Sequence, residues 1–214
     1  QADTDASANE LFPWSERPLQ LINTAIDVSY NRPADIYVAA GEDLQAALDA
    51  ALPGQIVELE AGATFVGDFV LRNKGAGEDW IYIRSWEYEN LTGPGTRIGP
   101  EHAHLMAKLV AAGIGNPWSV RSEPGAHHYR ILGIEITKSA GNTTTNSLVR
   151  LGYENNGGTQ VSSIDDLPHD ITFDRVFIHG TPNDNLKRGI QLDGVRMAVV
   201  DSYFSDIHDS GNDA

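Results

Sequence analysis

The sequence predicts an all-β chain in which short parallel strands wind into a coil, and three observations carry this. Only one run, DLQAALDAAL (Asp43 to Leu52), has apolar residues at helical spacing. From Gln55 onward, apolar residues alternate with polar ones in short runs separated by Gly or Asn. In the second half a two-strand phrase returns: YRILGIEIT (129–137) then SLVRLG (147–152), and later HDITFDRVFIHG (169–180) then RGIQLDG (188–194). Ile134 to Val176 is a step of 42 residues and Val149 to Ile190 a step of 41. RMAVVDSYFSDIH (196–208) opens a further copy, with Asp174 to Asp201 a step of 27. One phrase recurring at a variable period predicts stacked circuits with loops inserted between them. An antiparallel sandwich has no need of such a repeat.

The elements follow in order. Residues 1–34 are polar and punctuated by Pro13, Pro18 and Pro33, with Phe12, Trp14 and Tyr30 as anchors, and read as an extended arm. A short strand is expected at Asp35 to Ala39. In the helix that follows, at about 43–52, Leu44, Ala47, Leu48 and Ala51 share a face, Asp43 is the N-cap, and Pro53-Gly54 ends it. Ten residues suffice to cap one end of a coil. Strand-like runs then come at Ile56, Val57 and Leu59, at Phe65 to Leu71, and at Trp80 to Ile83, separated by Gly62, Gly67, Asn73, Gly75 and Gly77. The coil is expected to occupy 35–214.

Composition excludes several classes. Of 214 residues, 15 are Lys or Arg and 30 Asp or Glu, a formal charge of −15. That balance argues against a nucleic-acid binder, whose phosphate contacts need clustered cations. A 41% hydrophobic share fits a folded domain, and no run approaches the roughly 20 apolar residues of a membrane span. Without cysteine, disulfides and thiolate metal sites are impossible. The first residue, Gln1, reads as the start of a mature exported chain, so a secreted or periplasmic location is expected. The chain ends at DSGNDA directly after a strand-like run, which reads as the N-terminal part of a longer coil. Its open end is expected to be covered by further residues or a second chain.

The stretch LQAALDAALPGQIVELEAGATFVGDFVL (44–71) resembles the N-terminal opening of the pectin-lyase-like superfamily. Pro53, Gly54, Ile56 or Val57, Leu59, Gly62 and Phe65 approximate its Pro-Gly-x-x-Ile/Val-x-Leu-x-x-Gly-x-Tyr/Phe segment. ITFDRVFIHG (171–180) and AVVDSYFSDIH (198–208) are similar to its rung sequences. The resemblance covers about residues 35–214. It implies a right-handed parallel β-helix, a solenoid with an N-terminal capping helix. Among the branches, the bacterial polysaccharide lyases of the alginate lyase and chondroitinase B type are most similar. It therefore implies a secreted enzyme that cleaves a uronate-containing polysaccharide by β-elimination. In those families a Lys or Arg removes the C5 proton, and a cation, often Ca²⁺, or a further Arg neutralises the carboxylate. The Cys-bearing and Asp-Asp signatures of the related polygalacturonases are absent from the sequence.

Candidate residues follow from the repeat. In RGIQLDG, Ile190 and Leu192 are expected inward, which turns Gln191 and Asp193 outward, and the offset of 41 sets Arg150 beside Gln191. Lys187 and Arg188 precede this strand, and Asn183, Asp184 and Asn185 fill the loop before it. Lys187, Arg188 and Arg150 are thus the catalytic candidates, and Gln191, Asp193, Asn183 and Asn185 the substrate-binding ones. The competing reading is a solvated turn, since Asn-Asp-Asn is ordinary turn chemistry.

The last segment gathers Asp201, Asp206, His208, Asp209 and Asp213, of which Asp206, Asp209 and Asp213 are the candidate ligands for Ca²⁺, an oxygen-seeking ion. Against this, Asp also ends strands and makes turns. His102 and His104 (HAH), expected on one side of a strand with no third ligand adjacent, and His127 and His128 could bind metal but read as surface or loop histidines, while His179 ends a strand where it can bond backbone. Trp80, Trp86, Trp118 and Tyr153 could stack on sugars, with packing the default role. Two further functions stay open. One is a non-catalytic surface or carbohydrate-binding coil. The other is a hydrolase, which needs two carboxylates about 5–9.5 Å apart, as Asp206, Asp209 and Asp213 could supply. A polyanionic substrate conflicts with the charge of −15 unless a local basic groove or bound Ca²⁺ overcomes it.

Overall fold

The computed structural model describes residues 30–113, 117–141, 144–152 and 163–210. The expected arm therefore lies mostly outside the described residues. Its last part begins at Tyr30, which is buried.

A short strand, β1 (Ile36–Val38), and a helix, α1 (Leu44–Ala50), precede the first circuit of β2 (Ile56–Leu59), β3 (Thr64–Gly67) and β4 (Phe69–Leu71). The second circuit is β5 (Ile81–Ser85), β6 (Ala107–Ala111) and β7 (Val120–Ser122). The third is β8 (His127–Leu132), β9 (Ile134–Lys138) and β10 (Thr144–Leu151), and the fourth β11 (His169–Asp174), β12 (Phe177–His179) and β13 (Asn185–Leu192). A fifth begins with β14 (Val195–Val200) and β15 (Tyr203–Ser205). Among the described residues these make three sheets. Sheet A has the order β1-β2-β5-β8-β11-β14, sheet B β15-β12-β9-β6-β3, and sheet C β13-β10-β7-β4. Every pairing between these strands is parallel. The chain visits A, B and C in turn and returns to A.

The two-strand phrases of the sequence contain three strands, because each longer run breaks at a corner. Gly133 (φ 61°), Arg175 (φ 50°) and Asp201 (φ 49°) are all left-handed and turn the chain from sheet A to sheet B. Only the glycine announces such a conformation; for Arg it is uncommon. The same corner corrects the step of 27. Asp174 pairs with Val200, so Arg175 and not Asp174 is the counterpart of Asp201. The run Phe65 to Leu71 likewise divides at Asp68 into β3 and β4, which lie in different sheets.

Between the sheets, equivalent positions stack. Val57, Ile83, Ile131, Phe173 and Val199 form one column, and Phe65, Leu109, Ile136 and Ile178 another, which ends on the exposed Phe204. Helix α1 is shorter than expected: it ends at Ala50, and Ala51 is already extended (φ −60°, ψ 135°) two residues ahead of Pro53. Asp43 caps it by accepting from Ala46 N at 3.0 Å, and Leu44 and Leu48 are buried. Its Gln45 side chain accepts from Val70 N (2.8 Å) and donates to Val70 O (3.2 Å), which satisfies the edge strand β4. Lys74 Nζ donates to the carbonyls of Leu48 (2.9 Å) and Asp49 (2.8 Å) at the helix C-terminus.

The insertion between β5 and β6 folds over the outer face of sheet A, where Tyr30, Ile56, Tyr82, Tyr88, Leu91, Ile98 and Leu132 are buried together. His102 and His104 lie in this insertion on a 3₁₀ helix (Pro100–Leu105), not on a strand. Each ring uses Nδ1 locally, beside the carbonyls of Gly99 and Glu101.

Phe173 is fully buried in the middle of its column. Phe173→Ala is expected to lower stability by about 3–5 kcal/mol, read from the urea midpoint of unfolding.

Candidate functional site

The outer face of sheet C carries a ladder of polar side chains. Arg150 pairs in register with Arg121 of β7 on one side and with Gln191 of β13 on the other, the second as the offset of 41 predicts. Neighbouring strands lie about 4.8 Å apart, so two guanidinium groups and an amide follow one another at that repeat. Arg121 is held by Asp68 (Nε to Oδ2, 2.9 Å), and the Arg150 guanidinium lies over the Trp118 ring, 5.5 Å from its centroid. Gln191 donates to Asp193 and lies 3.3 Å from Ser147 Oγ. Arg188 pairs with Ser147 across the strands and is exposed, and Lys187 is half-buried. Neither Lys187 nor Arg188 has an ion-pair partner among the described residues.

Arg150, Arg188, Gln191 and Asp193 therefore share one region, joined by Arg121 and Trp118. Asn183 is exposed in the preceding turn, and Asn185 starts β13, bonded to Ser210 Oγ (3.1 Å). Asn185 and Gln191 are six residues apart on one strand, about 20 Å, so the expected substrate-binding set is spread along its length. Asp184 between the asparagines is structural, accepting from Thr181 Oγ1 (2.7 Å) and Gly141 N (2.9 Å). Of the expected calcium ligands, Asp206 is exposed just after β15, Asp209 is half-buried, and Asp213 lies outside the described residues.

A second constellation was not expected. At the corner where the chain enters sheet A, His127 pairs in register with His169, and His169 with Val195. The next residues, His128 (φ 56°), Asp170 (φ 52°) and Arg196 (φ 52°), are all left-handed. Such backbone costs about 1–3 kcal/mol per non-glycine residue and recurs at functional sites. The His127 and His169 rings stack at 4.8 Å, and Trp80 meets His128 edge-on at 5.3 Å. Arg196 Nε donates to Asp170 Oδ1 (2.8 Å), and His169 Nδ1 lies 2.7 Å from Asp170 Oδ2. Burial opposes ionisation of Asp170, but Arg196 and His169 outweigh it and hold its carboxyl below the usual range. Burial pushes the His128 imidazole down. The sequence did carry a signal for this corner, since HHY (127–129) and HDI (169–171) stand 42 residues apart.

On the outer face of sheet B, Glu135 is buried between Lys108 Nζ (2.9 Å) and His179 Nε2 (2.8 Å). His179 ends β12, and its Nδ1 meets the Gly180 carbonyl at 2.8 Å, the backbone contact expected of it. Burial raises the Glu135 carboxyl, yet His179 and Lys108 together pull it below its ordinary value.

No family model matches the chain, and no curated protein does. Among solved structures it is similar to an alginate lyase from Paenibacillus sp. str. FPU-7, with 17% identity over 82% of this chain and 68% of that one, at a TM-score of 0.42.

Glu135 sets a pH dependence. Its carboxyl is depressed in the folded protein, so its contribution is complete above the ordinary glutamate value of 4.5 and is lost as pH falls through the folded value. Urea unfolding at a series of acidic pH values is expected to show this decline. Glu135→Gln is expected to flatten it and to cost roughly 1.5–3 kcal/mol near neutrality.

Proposed function

We propose that the three sheets form a right-handed parallel β-helix and that the molecule is a secreted lyase acting on a uronate-containing polysaccharide along sheet C. The cyclic path through sheets A, B and C supports the fold, since parallel crossovers are right-handed in nearly all proteins. One observation carries the function. A chain with a charge of −15 places Arg121, Arg150 and Arg188 on a single face, two of them stacked at the strand repeat. Such a row offsets the repulsion that the whole molecule would exert on a polyanion.

The chemistry follows from the residue types. A proton beside a carboxylate leaves only when the carboxylate charge is neutralised, which is the task of Arg150 and Arg188. Arg is a poor base because it stays protonated, so Lys187, whose side chain can give up its proton, is assigned the C5 proton. As that proton moves to Lys187, its electron pair forms the C4–C5 double bond. The C4–O glycosidic bond breaks, and the departing oxygen takes up a proton from water. Trp118 and Gln191 line the same face for a sugar ring. Ca²⁺ at Asp206 and Asp209 is the remaining element of the proposal.

The assay is ultraviolet absorbance of the unsaturated uronate product over a panel of uronate polysaccharides, with and without chelator. Product is expected on at least one polymer, with Arg150→Ala and Lys187→Ala each lowering the rate by at least about 100-fold. Loss of activity in chelator, restored by Ca²⁺, is expected if the ion is required. No product on any uronan, with retardation in a polysaccharide gel, would establish a carbohydrate-binding coil instead.

A further inference from the structure

We infer that His128, His169 and Asp170 form a binding site for a divalent transition metal such as Zn²⁺, separate from the sheet C face and independent of the lyase reading. One ring nitrogen of each histidine and one Asp170 oxygen all lie within 4.8 Å of one another. An ion about 2.1 Å from each ligand needs ligand atoms roughly 3.4 Å apart, a spacing that small side-chain shifts supply. Imidazole with one carboxylate suits Zn²⁺ and its neighbours, whereas Ca²⁺ prefers a shell of oxygens.

The hydrogen bonds prepare both rings. The Gly75 carbonyl can only accept, so the His127 Nε2 that lies 2.9 Å from it carries the proton. His127 Nδ1 in turn lies 2.7 Å from His128 Nδ1, and one ring donates to the other there. With Nδ1 engaged by His127, Nε2 is the nitrogen that His128 has for an ion. His169 Nδ1 lies 2.7 Å from Asp170 Oδ2, so an ion would replace the proton between these two ligand atoms, and the stacked His127 ring orients His169 from outside. Histidine ligands are characteristically oriented by such outer partners.

The remaining neighbours are compatible with an ion. Arg196 neutralises Asp170 through Nε and Nη2 and fixes its orientation. Each carboxylate oxygen still has lone-pair capacity for a further contact. The overall charge of −15 favours a cation. A cavity of about 310 Å³ lined by Ile164, Leu167, His169, Val195 and Arg196 opens beside the cluster and gives access from solvent. The left-handed backbone at His128 and Asp170 occurs at matched positions of successive circuits, so these side chains meet by construction of the fold.

The test is calorimetric titration of chelator-treated protein with Zn²⁺, and with Co²⁺ followed by visible absorption. One equivalent is expected to bind, Co²⁺ giving d–d bands, with excess Ca²⁺ failing to compete. His128→Asn keeps a residue that tolerates left-handed backbone, and His169→Phe keeps the stack on His127. Each is expected to weaken Zn²⁺ by more than about 100-fold, and His127→Ala by about 10–100-fold. His104→Ala, on the 3₁₀ helix of the insertion, is expected to leave binding unchanged. Circular dichroism of the metal-free proteins checks that the variants fold. If either ligand variant does not fold, Asp170→Asn replaces it, with the same expected loss. Absence of stoichiometric binding by the parent protein, or undiminished binding by both folded ligand variants, would falsify the site.

Discussion

Each strand takes its place from hydrogen bonds to the strand one circuit earlier, and because every pairing is parallel, each residue lies beside its counterpart. That single constraint organises the rest. Inside, it piles Val57, Ile83, Ile131, Phe173 and Val199 into a continuous apolar column. Outside, it converts one outward residue per circuit into a row, which is how Arg121, Arg150 and Gln191 come together from distant parts of the chain. At the corner it does the same with His127 and His169.

The three outer faces use charge differently. On sheet A, Asp174 is fully buried between Arg130 (2.9 Å) and Arg175 (2.9 Å), and Arg175 reaches the Thr92 carbonyl of the insertion. Arg84 pairs with Glu58 and donates to the carbonyls of Tyr30 and Arg32. Ion pairs so deeply buried add little net stability, because desolvation offsets their attraction, but they fix which segment lies on the sheet. Sheet C and the histidine corner keep their polar groups partly open to solvent. Ligand chemistry is accordingly assigned to those two places.

The parts legible in the sequence are those that follow simple periods. Arg150 beside Gln191 could be read because both lie in strands of period two separated by a clear repeat. The Asp43 cap and the Leu44–Leu48 face of α1 were legible because local chemistry determines them. The corners were not, since a left-handed Arg175 or Arg196 carries no glycine to mark it. β7 is only three residues long, too short for alternation to show, and Arg121 was missed with it. His127 and His128 were read as an isolated adjacent pair. Their partners stand a whole circuit away, and a third ligand emerges only when the repeat is applied to polar residues as well as apolar ones.

The circuits differ greatly in length. Val57 to Ile83 spans 26 residues, Ile83 to Ile131 spans 48, and Phe173 to Val199 again spans 26, yet all these residues stand in one column. The interior does not sense how much chain lies between its members, since closing a longer surface loop costs little. Evolution can therefore lengthen, trim or replace the segments between strands while the column stays intact. Two descendants of one ancestor would then drift out of linear alignment long before their interiors diverged, so kinship for such a chain is better sought column by column than residue by residue.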